Sequence, residues 1–183
     1  MRSSITTGAL LLVFLGCSAT TPPSNTPWYV DGTPAQDTSA MNRSGNLAAM
    51  LFFTDQPDRL FASWETDAEG VPIFKTEQIQ SGESAIAMVV FSGCAADQRG
   101  NCDLVGDFKT FNPAGSLIDQ ADSVDIWIDK EAPPGRQLQL SAMGASLQTG
   151  KTDIGEFRTE VILRDRNSGA HLSLSQSLQV APD

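Results

Sequence analysis

From Leu47 onward the chain reads as short apolar runs cut by turn-forming residues. That texture predicts an all-β sandwich or barrel. "LAAMLFF" (47–53) leads through the turn-like "TDQPD" into "RLFASWET" (59–66), and "DAEGVP" separates these from "IFKTEQI" (73–79). All three apolar runs are expected to be strands. In "SAIAMVVFSG" (84–93) the positions from Met88 to Phe91 are apolar on both faces, as in a central strand covered on both sides. "DLVGDFKTFN" (103–112) ends at "PAGS", where Pro113 and Gly115 suit a tight turn.

The C-terminal half alternates more strictly. In "SVDIWID" (123–129), Val124, Ile126 and Ile128 fall on one face and Asp125, Trp127 and Asp129 on the other. Strict alternation therefore sends Trp127 outward, unless both faces are covered. "QLQLSAM" alternates through Leu138 and Leu140, while "ASLQTGK" (145–151) carries the weakest pattern. "EFRTEVILRD" places Phe157, Val161 and Leu163 inward, with Arg158, Glu160 and Arg164 outward. The turn "RNSG" and "AHLSLSQSLQV" complete a hairpin with Leu172, Leu174, Leu178 and Val180 on one face. The expectation is an antiparallel two-sheet sandwich of about eight strands, with no helix.

The N-terminal segment has another texture. Arg2 precedes an uncharged, largely apolar stretch from Ile5 to Gly16, followed by small residues at Ser18 and Ala19. Spanning a bilayer needs about 20 apolar residues, so residues 1–19 fit a secretory signal instead. "FLGC", ending at Cys17, resembles the lipobox of bacterial lipoproteins, whose cysteine becomes the lipidated first residue. Gly16 matches that pattern, whereas Phe14 and Leu15 depart from it. Cleavage after Ala19 is the rival processing, leaving a secreted protein. Residues 20–46, rich in Pro, Ser, Thr, Asn and Gly, are expected to form a flexible linker, interrupted by Trp28 and Tyr29. The sandwich domain is assigned to 47–183.

Either processing leaves Cys94 and Cys102 as the remaining thiols. In an oxidising compartment such a pair reads as a disulfide that pins one loop. Zinc would need further ligands where only one histidine, His171, exists. The Cys-x-x-Cys spacing of redox pairs is absent. Asp97, Asn101 and Asp103 offer oxygens for calcium, but without the spacing of a helical calcium loop. No metal or cofactor is expected.

Charge narrows the partners. The formal net charge is −10, with 22 acidic and 12 basic residues. A negative field repels phosphate backbones, so nucleic acid is not an expected partner. Membrane contact is expected only through the lipid anchor.

"DIGEFRTEVILRD" is similar to the end of immunoglobulin-like domains, where Asp-x-Gly-x-Tyr precedes a core strand. Asp153, Gly155 and Phe157 take those positions. Phe157 lacks the tyrosine hydroxyl, and Thr159 stands where the family has cysteine. The resemblance implies an immunoglobulin-like sandwich. The arrangement of signal, stapled loop and final hairpin also resembles uncharacterised bacterial envelope proteins, a likeness that implies no activity.

These features lead to a non-catalytic cell-envelope protein, lipid-anchored in the periplasm or at the outer membrane, or else secreted. It would present an acidic sandwich to another envelope protein or a glycan. The alternative is a carbohydrate-binding module stacking a sugar on Trp127 beside Asp125 and Asp129. A third reading, an envelope hydrolase, would need His171 joined to a carboxylate and a hydroxyl. Asp119, Asp122, Asp125 and Asp129 read otherwise as a solvated face.

Overall fold

In the computed structural model, the structure describes residues 28–30, 33–65 and 73–183. The signal, Cys17 and most of the first half of the expected linker lie outside the described residues. A two-stranded ribbon, β1 (Tyr29–Val30) and β2 (Thr33–Pro34), comes first. The sandwich then uses β3 (Met41–Ser44), β4 (Leu47–Thr54), β5 (Gln78–Gln80), β6 (Ser84–Ser92), β7 (Asn101–Phe111) and β8 (Leu117–Glu131). It is completed by β9 (Gln139–Leu140), β10 (Ala145–Gln148), β11 (Gly155–Asp165) and β12 (His171–Ala181). One helix, α1 (Pro57–Trp64), interrupts the strands.

Two five-stranded sheets face each other. The first runs β10-β6-β4-β3, with β9 also on β6, and the second runs β5-β12-β11-β7-β8. In immunoglobulin lettering, β4, β6 and β10 stand as strands A, B and E. β8, β7, β11 and β12 then stand as C′, C, F and G. The expected all-β sandwich is thus observed, with ten strands in its two sheets in place of about eight. The pairing is antiparallel except between β5 and β12, which run parallel.

Alternation explains the core. Leu47, Ala49, Leu51 and Phe53 from β4 and Ala85, Ala87, Val89 and Phe91 from β6 meet the inward side chains of the second sheet. Those include Leu104 and Phe108 from β7, Phe157, Val161 and Leu163 from β11, and Leu172, Leu174, Leu178 and Val180 from β12. The final hairpin pairs Gly155 with Val180 through to Arg164 with His171, in one unbroken register. Thr110 and Thr159 share a buried hydroxyl hydrogen bond of 3.0 Å on neighbouring strands.

β4 and β6 are apolar on both faces because a second cluster covers the outside of their sheet. Phe52, Met88 and Val90 pack there against Leu60, with Trp28, Trp64 and Phe74 alongside. This corrects the strand expected over 59–66. Pro57 occupies the first turn of a helix with Asp58 behind it, and Leu60 and Trp64 fall four apart on its buried side. Trp64 therefore packs outside the sandwich and not in its central core. The strand expected over 73–79 shrinks to β5, preceded by a single bridge from Thr76 to Phe53.

The start of the domain also differs from the expected boundary at 47. β3 adds residues 41–44 to the first sheet, pairing Met41 with Met50 and Ser44 with Leu47. Its sequence, Met-Asn-Arg-Ser, shows no apolar alternation because an edge strand half-exposes every side chain. Ser39 accepts a backbone hydrogen bond from Ser175 of β12 at 2.7 Å, tying the segment before β3 to the other sheet.

Candidate functional site

One pole of the sandwich gathers four chain reversals: the β3–β4 turn, the β6–β7 loop, the β8–β9 loop and the β11–β12 turn. The β3–β4 turn has two residues, Gly45 and Asn46, and Gly45 sits at φ +61, as the first position of a II′ turn requires. Gly93 opens the β6–β7 loop at φ +74, directly on the carbonyl of Asn46.

Cys94 and Cys102 form the expected disulfide, with Cα atoms 5.9 Å apart. It closes the β6–β7 loop and leaves both cysteines buried. Asp97 organises the inside of this loop. Its Oδ1 accepts the N–H groups of Arg99 and Asn101 at 2.8 and 2.9 Å, while Oδ2 pairs with the Arg99 guanidinium at 3.0 Å. The Asn101 N–H, followed by the Arg99 contacts, holds the Asp97 carboxyl below its ordinary range. Arg99 also reaches Asp129 at 3.0 Å. The Asp97 oxygens considered for calcium thus face N–H groups and a guanidinium, and Asp103 pairs with Arg166 at 3.3 Å.

A second device pins the loop from outside. Asp165, at the end of β11, is only 1% exposed. Its Oδ2 accepts the Ala95 N–H and the Ser168 hydroxyl at 2.8 and 2.7 Å, and its Oδ1 accepts the Asn167 N–H at 3.1 Å. Asn167 donates its amide to the carbonyls of Ala95 and Asn101 at 2.9 and 3.0 Å. A buried carboxylate needs such donors to offset its lost hydration. The β11–β12 turn and the disulfide loop therefore behave as one unit.

Between these reversals lies an open cleft of about 690 Å3. Ser44, Asn46, Leu47, Cys94, Ala95 and Ser168 line it together with Arg136 from the β8–β9 loop. Its volume falls within the roughly 300–1,000 Å3 typical of small-ligand sites. In the immunoglobulin lettering this pole carries the B–C and F–G loops, the end that variable domains use for recognition. Sequence reasoning missed it because glycines and backbone build it, and no side-chain motif marks it.

The structure treats the other expected site residues differently. Trp127 turns inward, correcting the outward orientation. β8 spends fifteen residues against the eleven of β7, with register shifts at four places. One shift falls between Val105, paired with Asp125, and Leu104, paired with Trp127. Ile126 is the extra residue there, so Ile126 and Trp127 both reach the core side. The Trp127 ring meets Phe91 edge-on, and Lys130 Nζ lies 4.5 Å from its centroid. Its indole N–H donates to the Glu131 carbonyl at 3.0 Å. Asp125 stays exposed and Asp129 pairs with Arg99, so the three residues do not form an open stacking platform. His171 is exposed on β12 with Arg164 as its cross-strand neighbour. Arg164 itself is held bidentately by Asp107, which also accepts the Ser123 N–H at 2.8 Å and thereby fixes a bulge of β8.

Among the described residues, no group of three or more His, Cys, Asp or Glu side chains is placed to hold a metal ion. No helix among them is long and apolar enough to cross a membrane.

No family model and no curated protein matches the sequence. Among solved structures, the chain is similar to the CARDB domain of the PF1109 protein from Pyrococcus furiosus, solved in complex with di-metal ions. That match has a TM-score of 0.34 at 11% identity and covers 57% of this chain and 80% of that one. A family 123 glycoside hydrolase from Clostridium perfringens matches at TM-score 0.37 and 9% identity, over 75% of this chain but only 27% of that one. An immunoglobulin-like protein, PA1606, from Pseudomonas aeruginosa matches at TM-score 0.30 and 15% identity, over 77% and 96% of the two chains. By its own strand order, this chain is similar to immunoglobulin-like β-sandwiches.

Proposed function

We propose that this protein is a non-catalytic binding domain of the bacterial cell envelope, anchored through lipidated Cys17, which engages another envelope component at the disulfide-bearing pole. The supporting observation is the loop itself. Its two thiols are consumed in a buried bridge, and the buried Asp165 holds the same loop from the neighbouring turn. A loop committed to a structural disulfide suits an oxidising compartment. Walls held in place beforehand lower the ordering cost of binding.

Mass spectrometry of the mature protein tests the compartment. The expected product begins at a diacylated Cys17 and is two hydrogens lighter than the dithiol. A retained N-terminus, or thiols that alkylate without denaturant, overturns the reading. Photo-crosslinking in intact cells tests the pole. A probe at Ser168 is expected to trap a partner that a probe at Ile154, on the opposite end, does not; equal trapping from both ends removes the assignment.

A further inference from the structure

The flank of the sandwich carries a second interaction surface, independent of the disulfide pole. We infer that an extended segment of a partner polypeptide, free of acidic residues and bearing lysine or arginine, adds as a strand to the free edge of β10.

Main-chain parity identifies the edge. The Thr149 N–H bonds to the Glu83 carbonyl at 3.1 Å, so Ala145, Leu147 and Thr149 turn their main-chain groups towards β6. Ser146 and Gln148 point theirs the other way, where no group of the described residues bonds to them. Both residues are exposed. Each offers one N–H and one C=O, an alternation that another extended main chain matches. The usual devices that close an edge are also missing. β10 pairs without a register shift, and residues 137–150 hold no charge and no proline.

The opposite sheet leaves room for the added strand. β10 packs over β7, whereas β8 carries the second sheet one strand further on that side. Ala121 and Val124 of β8 pair with Phe108 and Gly106 on the core side, yet both stay half-exposed because no strand of the first sheet roofs them. Further along β8, the returning chain covers Ile126, whose carbonyl accepts the Ala142 N–H at 3.4 Å. A segment of about five residues on β10 fills the vacant lane. It takes the place of strand D in the immunoglobulin lettering, and its inward side chains, apolar by alternation, cover Ala121 and Val124.

Charge and size select the occupant. Asp119, Asp122 and Asp125 are exposed on β8 beside the lane, and the chain carries a formal net charge of −10. An acidic segment is therefore repelled and a basic one attracted. The same charge opposes a second copy, and the edge of β10 is far smaller than the roughly 800 Å2 per partner of a standard interface between folded proteins. An extended segment needs less surface, because its main-chain hydrogen bonds supply the affinity.

The test uses the full mature chain, labelled with 15N, and a pool of acetylated, amidated heptapeptides. Lysine closes both ends, threonine holds the two inner positions of the same parity, and Val, Ile and Leu are randomised between them. A saturating pool is expected to slow amide exchange at Ser146 and Gln148 about tenfold or more. Methylating the threonine nitrogens, which face β10, should weaken binding about tenfold or more, whereas methylating the apolar residues' nitrogens, which face away, should not. Gln148→Pro removes an outward N–H where a sheet edge tolerates proline, and should lose the response while keeping the melting midpoint. Equal binding of the two methylated pools overturns the edge assignment. Protection along β8 in place of Ser146 and Gln148 overturns the lane. A dimer of the chain alone that Gln148→Pro dissolves gives the edge to a second copy and overturns the partner segment. Unchanged exchange at Ser146 and Gln148 with the unmethylated pool overturns the inference, and each of these outcomes leaves the reading of the disulfide pole untouched.

Discussion

A Cβ built on Gly93 would stand 2.0 Å from the carbonyl oxygen of Asn46. The first residue of the disulfide loop therefore rests on the backbone of the β3–β4 turn, and only a hydrogen fits between them. The obstacle is main chain, so no rotamer change can relieve it. At φ +74 an alanine would also be strained by its own backbone. Gly93→Ala is expected to destabilise the domain by about 2–4 kcal/mol in urea unfolding. The nearby Gly45→Ala, with open space around its Cβ, should cost about 1 kcal/mol.

Asp165 couples the β11–β12 turn to the disulfide loop. Asp165→Ala strands the N–H of Ala95 and the donors of the turn, at an expected cost of about 3 kcal/mol. The paired change Cys94→Ser and Cys102→Ser should cost about 2–3 kcal/mol alone. Both devices hold one loop, so the combined variant is expected to lose less than the sum. Strict additivity in a double-mutant cycle would show that they act independently.

The pair of Asp107 and Arg164 makes stability depend on acid. The Arg164 hydrogen bonds, then the Ser123 N–H, lower the Asp107 carboxyl from 3.8 to about 2. A carboxyl depressed in the folded state stabilises fully above its unfolded value and loses that contribution as pH falls. The window here runs from about 4 down to about 2. Asp107→Asn should flatten this part of the stability–pH curve and lose the same contribution at pH 7, both reduced by solvent screening because the pair is partly exposed. An unchanged acid limb in the variant would rule out Asp107 as its source.

Trp127 ties the two sheets at one edge through Phe91, with ring centroids 5.7 Å apart. Trp127→Ala is expected to cost about 2–3 kcal/mol, less than for a fully buried ring. Sugar binding, if measured, should not depend on this residue beyond that loss of stability. Tryptophan fluorescence should change on unfolding as this ring leaves its Phe91 contact.

Much of the sandwich was legible because buried strands must alternate. The β11–β12 hairpin follows that rule without interruption, and every inward position expected there is buried. Trp127 was misread because each extra residue of β8 resets the alternation, and bulges leave no local mark in sequence. The helix was missed beside a long apolar strand, although Pro57, Asp58 and the Leu60–Trp64 spacing signalled it. The cleft at the disulfide pole was illegible for a further reason. Asp165 acts on Ala95, seventy positions away in the chain, and glycine turns look alike until folding brings them together.

The irregularity of β8 also governs how these molecules behave when crowded. It borders its sheet, and a smooth border would offer a stranger's strand a ready row of hydrogen-bonding sites. Four register slips, with left-handed kinks at Ser123 and Asp129, spoil that spacing, and exposed aspartates along the same strand repel an identical neighbour. Molecules packed densely beside their copies can thus remain separate from them.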